Sequence, residues 1–64
     1  MGKRNNIKQM LAEHGSSQTW LAKRAGIGMS TLNGIVNERN VPTLDTARKI
    51  AKALGKSVDE IWPD

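Results

Sequence analysis

A three-residue link between two helical patterns places the strongest constraint on the fold of this 64-residue chain. The flanking segments, residues 18–25 and 29–37, carry apolar residues at helical spacing, and Gly26, Ile27 and Gly28 stand between them. A link this short favours a sharp crossing of the two helices over an antiparallel hairpin. Gly26 suits the positive φ that such a turn requires, because glycine has no Cβ to clash there.

Two further helices are predicted from caps and apolar spacing. The first spans residues 6–14, with Asn5 or Asn6 as its cap and Gly15 at its end. A later helix follows Val41-Pro42, with Thr43 as its N-cap. Its apolar stripe consists of Leu44, Ala47, Ile50, Ala51 and Leu54, and Gly55 stops it.

A last short helix begins with the capping box Ser57-x-x-Glu60. Ser17 and Gly28 are the expected N-caps of the second and third helices. No strand pattern of any length is present in the sequence. The fold class expected is therefore all-α, a compact bundle of five short helices, and the length allows one domain over residues 1–64.

Composition excludes several classes of function. The sequence has no cysteine and one histidine, His14, so neither a disulfide nor a metal site is expected. No long apolar run and no secretory signal are present, which favours a cytoplasmic protein without a membrane partner. The net charge is +4, and the whole excess of positive charge lies in residues 1–41, which contain six basic and two acidic residues. A basic surface attracts polyanions such as nucleic acid.

The third helix has two contrasting faces. Leu32 and Ile35 belong to its apolar side, and with Leu21 they are expected to form the core shared with the second helix. Small, uncharged residues form the outward side, namely Met29, Ser30, Asn33, Gly34 and Asn37. The third helix therefore has a polar, uncharged face in a chain whose net charge is basic.

These features resemble the Cro/repressor-type helix-turn-helix proteins of phages and bacteria. The matching segments are SQTWLAKRAGIGMSTLNGI, NVPTLDTARKIAKALG and KSVDEIW, and the resemblance extends from about Ile7 to Trp62. It implies a lambda-repressor-like DNA-binding domain with a helix-turn-helix at about residues 18–37. The third helix would lie in the major groove of an operator.

The resemblance also implies roles for individual residues. The positions expected to read bases are Met29, Ser30, Thr31, Asn33 and Gly34, with Asn33 suited to adenine. The positions expected to contact phosphates are Ser17, Gln18, Asn37, Arg39 and Asn40. The expected partner is a pseudo-palindromic double-stranded DNA operator, bound by a homodimer at least on DNA, with no small-molecule ligand and no cofactor.

Three positions depart from the family pattern. Leu11 and Val36 stand where many relatives pair an Arg with a Glu, so an apolar contact between them is expected. Glu38 stands where a glycine is usual, so Asn37 or Asn40 is expected to adopt the left-handed conformation. Trp20 is expected to pack against a neighbouring helix, with an exposed aromatic for a partner as the alternative.

Two functional hypotheses of different class remain open at this stage. The leading one is a sequence-specific transcriptional regulator that represses by occupying an operator. The alternative is a protein-interaction module or antitoxin of the same fold, with Trp20 or Trp62 as its hot spot. An enzyme is not expected, because no set of titratable residues suggests a catalytic pocket.

Overall fold

The computed structural model describes residues 2–63 and contains five α-helices. Met1 and Asp64, the two ends of the predicted domain, lie outside the described residues. The helices are α1 (Ile7–His14), α2 (Gln18–Ala25), α3 (Met29–Val36), α4 (Leu44–Leu54) and α5 (Val58–Ile61). No strand occurs within residues 2–63, so the all-α prediction is confirmed. The predicted start of α1, residue 6, is one residue too early, and the predicted end of α3, residue 37, is one residue too late.

Side-chain caps set the starts of three helices, as the sequence predicts. The hydroxyl of Ser17 accepts from the backbone N–H of Trp20 at 3.1 Å, and Thr43 accepts from Thr46 at 3.2 Å. Ser57 and Glu60 form the complete capping box, with each side chain accepting from the other residue's backbone N–H. These bonds satisfy amides that have no partner within the helix.

The start of α1 is anchored by two asparagines that act over long range. Asn5 Oδ1 accepts from the N–H of Ile7 at 3.1 Å, while its Nδ2 donates to the carbonyl of Ile35 at 2.8 Å. Asn6 Nδ2 donates to the carbonyl of Glu60 at 3.1 Å. Asn5 therefore supplies the side-chain cap, and the pair ties α1 to the ends of α3 and α5.

One hydrophobic cluster holds the helices together. α2 lies at its centre and packs on both α3 and α4, and the small side chain of Ala22 is buried there. The buried set consists of Ile7, Leu11, Leu21, Ala22, Leu32, Ile35, Val36, Ala47, Ile50, Ala51, Leu54, Ile61 and Trp62. Leu11 and Val36 both belong to it, while their direct contact stays a prediction.

The prediction that Leu44 belongs to the buried apolar stripe of α4 is wrong. Its side chain is 56% exposed, whereas the other four members of that stripe are buried. Leu44 is the first residue of α4, and helical side chains tilt toward the N-terminus of their helix. The Leu44 side chain therefore projects beyond the part of α4 that packs on α2.

The two tryptophans both pack on the hydrophobic core, but to different depths. Trp62 is 3% exposed, as expected for a core residue of the last segment. Trp20 is half-buried against the core, and its ring stacks on His14 with centroids 4.9 Å apart. The packing interpretation of Trp20 is confirmed.

Candidate nucleic-acid interface

The turn between α2 and α3 fixes the position of the candidate interface. Gly26 ends α2 with φ of +70°, as its place in the short link predicts. The N–H of Ile27 donates to the carbonyl of Ala22 at 3.0 Å, and the Ile27 side chain packs on the core. Gly28 then provides the extended N-cap of α3. Helix α3 is thereby seated against α2.

The first turn of α3 presents its side chains to solvent. Met29 is 43% exposed although it is apolar, and Ser30 and Thr31 are also exposed. An exposed methionine at this position is suited to contact a thymine methyl group. The three residues thus lie outside the core, as expected for base contacts.

The start of α2 offers donors of a different kind. The Ser17 oxygen is used as a cap acceptor, so its O–H remains available to donate. Gln18, the first residue of α2, is half-buried and makes no side-chain hydrogen bond within residues 2–63. Phosphate groups are favoured at such a helix N-terminus because its amides and dipole are positive.

Three candidate residues form one hydrogen-bonded group at the end of α3. Asn33 Oδ1 accepts from Arg39 Nη2 at 2.9 Å and from Asn37 Nδ2 at 3.0 Å. Asn37 Nδ2 also donates to the backbone carbonyl of Asn33 at 2.9 Å. We call Asn33, Asn37 and Arg39 the amide–guanidinium cluster. Its bonds engage the acceptor atom that Asn33 would use in a bidentate adenine contact.

The prediction that Gly34 lies open on the outward face of α3 is wrong. It is buried, and a Cβ built on it would collide with Asn40 Nδ2 and lie 3.4 Å from Asn40 Cγ. The loop is held there by its backbone, since the N–H groups of Arg39 and Asn40 both donate to the Gly34 carbonyl, at 2.9 and 3.2 Å. Close approach of DNA to the Gly34 backbone is therefore blocked by Asn40 in this conformation.

The end of α3 corrects a second expectation. Glu38 itself adopts the left-handed conformation, with φ of +61°, whereas Asn37 has φ of −87°. The N–H of Glu38 donates to Ile35, and the N–H of Arg39 donates to Gly34, which is a Schellman ending. This ending requires positive φ at Glu38 whatever its side chain, and asparagine at the neighbouring positions does not remove the requirement.

Two basic residues of the first two-thirds of the sequence, Lys8 and Arg24, line different grooves. Lys8, which the sequence does not single out, lines a groove with Asn5, Val36, Asn37 and Glu38 beside the end of α3. Only the tertiary structure brings the start of α1 beside the end of α3, so no sequence pattern could have found it.

Arg24, by contrast, lies in a different groove. That groove is lined by Arg24, Ala25, Lys49, Lys52 and Ala53, at the end of α2 opposite to Ser17 and Gln18. Arg24 is therefore separated along α2 from the candidate phosphate contacts. The basic residues of the first two-thirds of the sequence therefore do not all lie at the candidate interface.

Other kinds of site find no support in the described residues. Within residues 2–63, no group of three or more His, Cys, Asp or Glu side chains is arranged to hold a metal ion. No helix in that range is both long enough and apolar enough to cross a membrane.

Comparison with known proteins identifies the family. A helix-turn-helix family model matches residues 7–61, which include all five helices. The chain is also 34% identical, over 59 residues, to a protein of Methanocaldococcus jannaschii described as an uncharacterized HTH-type transcriptional regulator. The match covers 92% of this chain and 89% of that relative. The chain therefore belongs to the Cro/C1-type helix-turn-helix family of DNA-binding regulators.

Proposed function

We propose that this protein is a sequence-specific transcriptional repressor that occupies an operator with α3 in the major groove. Residues 1–64 act as one DNA-binding domain. The observation that carries the proposal is the position of α3. Its first turn, Met29 to Thr31, is exposed to solvent while Leu32 and Ile35 of the same helix are buried in the core, so the side chains expected to contact bases are accessible.

The chemistry of this surface fits duplex DNA. Ser17 and Gln18 supply neutral donors next to the positive end of α2, and Arg39 supplies a guanidinium at the end of α3. Ser30 and Thr31 present exposed hydroxyl groups at the start of α3. The exposed first turn of α3 is thus uncharged while a guanidinium stands at the end of the helix, which suits a protein that contacts bases with neutral side chains and phosphates with charged ones.

A homodimer on a pseudo-palindromic operator completes the proposal. Val41, in the loop that leads from α3 into α4, is 49% exposed, and Leu44, the first residue of α4, is 56% exposed. Exposed aliphatic residues so close to the reading helix suit contact with a second copy on DNA. Two copies would place two α3 helices about 34 Å apart, and repression would follow from exclusion of polymerase.

Selection from a random DNA pool tests this function. We expect enrichment of a two-fold symmetric motif, and an affinity for it about 10³-fold or more above that for a scrambled duplex at the same salt concentration. Asn33→Ala should reduce the preference. Weak binding that depends on salt and enriches no motif would contradict the proposal. The protein-interaction module would then become the leading hypothesis.

A further inference from the structure

The centre of the outward face of α3 carries no α3 side chain. Ser30, Gly34 and Asn37 follow one another at spacings of four and three residues, so they share a face, and Leu32 and Ile35 face the core. Gly34 lies between its two neighbours on that face, yet it is buried. The atoms that cover it belong to Asn40, as the position of a Cβ built on Gly34 demonstrates.

The main chain holds Asn40 over this position. Glu38 turns the chain back on α3 with positive φ, and the Gly34 carbonyl accepts from the N–H groups of both Arg39 and Asn40. The backbone of the loop is thus hydrogen-bonded to Gly34, the same residue that the Asn40 side chain covers. Asn40 as a residue is exposed, and its amide nitrogen is the atom that lies closest to the Cβ position of Gly34.

The amide of Asn40 also differs from its neighbours in its hydrogen bonds. Asn33 has its oxygen occupied by two donors, and Asn37 has its nitrogen occupied by two acceptors. Within residues 2–63, the Asn40 side chain makes no hydrogen bond. A bidentate contact to adenine needs one free acceptor and one free donor on the same amide. Among the three asparagines of this surface, Asn40 meets that need without breaking existing bonds.

We propose that Asn40 reads an adenine at the centre of each half-site, taking the place of the side chain that Gly34 lacks. Because Gly34 has no side chain, it leaves room for the Asn40 side chain on the outward face of α3. The inference rests on the proposed function, because it assigns a specificity-determining residue within the same DNA interface. It replaces the phosphate contact that the family resemblance implies for Asn40.

Two substitutions test the assignment by different routes. Asn40→Ala removes the amide. Gly34→Ala leaves Asn40 unchanged but places a methyl group where its amide lies, while alanine favours the helix. Thermal unfolding followed by circular dichroism verifies that both variants fold. The full chain is then titrated with the selected operator and with its three single-position variants at the A·T pair.

We expect the wild-type protein to prefer A·T at that position by about tenfold or more. Both variants should bind the four base pairs there with nearly equal affinity. Their preferences elsewhere and their salt slope should stay unchanged, because no phosphate contact is lost. Gln18→Ala serves as the control, with uniformly weaker binding and an unchanged motif.

The inference is overturned if Asn40→Ala weakens binding to all sequences equally and keeps the motif, which is the behaviour of a phosphate contact. It is also overturned if Gly34→Ala retains the full preference for A·T. A wild-type protein that selects no motif would refute the proposed function together with this inference. The wild-type selection therefore distinguishes the two failures.

Discussion

The guanidinium of Arg39 donates a 2.9 Å hydrogen bond to the side-chain oxygen of Asn33, which lies six residues earlier in the sequence. The same oxygen accepts from Asn37 at 3.0 Å. Helix α3 and the loop after it are thus joined through one acceptor atom. The base contact expected of Asn33 and the phosphate contacts expected of its two partners are therefore not independent.

Coupling between Asn33 and Arg39 should appear in DNA binding. Asn33→Ala removes the acceptor that orients the guanidinium, so it should also impair the Arg39 phosphate contact. We expect a double-mutant cycle of Asn33→Ala and Arg39→Ala to give a coupling free energy of about 1 kcal/mol. The measurement is operator affinity by fluorescence anisotropy at constant salt. Strictly additive losses would show that the cluster does not persist on DNA.

Glu38→Gly should stabilise the protein by about 1 kcal/mol, because Glu38 has φ of +61° and glycine adopts that conformation without strain. The free energy of unfolding in urea measures the effect. Glu38→Ala is the matched control, since it removes the carboxylate but keeps the unfavourable backbone, and it should give little gain. Equal stabilisation by both variants would point to charge as the cause.

Leu44→Lys should leave folding nearly unchanged, within about 0.5 kcal/mol, because the side chain is 56% exposed. If Leu44 contacts a second copy on DNA, the substitution should abolish cooperative binding to a two-half-site operator while single half-site affinity remains. Gel-shift titration on both duplexes measures this. Ala12→Lys, at an exposed position of α1, adds the same charge elsewhere and should retain cooperativity. Retained cooperativity in Leu44→Lys would place the dimer contact elsewhere.

The capping box should make stability depend on pH. Hydrogen bonds from Ser57, first from its backbone N–H and then from its hydroxyl, lower the pKa of Glu60, and Lys56 adds to the effect. A lowered pKa in the folded state means that the carboxylate stabilises the fold above the ordinary glutamate pKa of about 4.3. That stabilisation is lost as the pH falls through the lowered value.

We therefore expect the thermal midpoints of wild type and Glu60→Gln to converge as the pH falls from 7 to about 3. Thermal unfolding across that range measures the difference. Asp59→Asn removes the adjacent carboxylate, which makes no capping bond to Ser57, and should not reproduce the effect. A difference between wild type and Glu60→Gln that is independent of pH would show that the carboxylate charge does not contribute.

Local signals in the sequence determined the helices and much of the core. Caps such as Ser17 and Thr43 act on amides three residues away, so their effect can be predicted without the rest of the chain. The turn at Gly26 was predictable for the same reason. Apolar spacing likewise located the buried faces of α2 and α4, with the exception of Leu44 at a helix end.

Only the tertiary structure decided how the candidate interface is assembled. Asn40 covers Gly34 and Arg39 binds Asn33 because the loop folds back on α3. Lys8 lies near the end of α3 because the start of α1 is held there. These contacts join residues whose approach depends on the path of the backbone, including the positive φ of Glu38. The sequence shows which side chains are available to the interface, whereas the packed chain decides which of them meet. The reason is that side-chain contacts across a loop or between helices have no short-range signature.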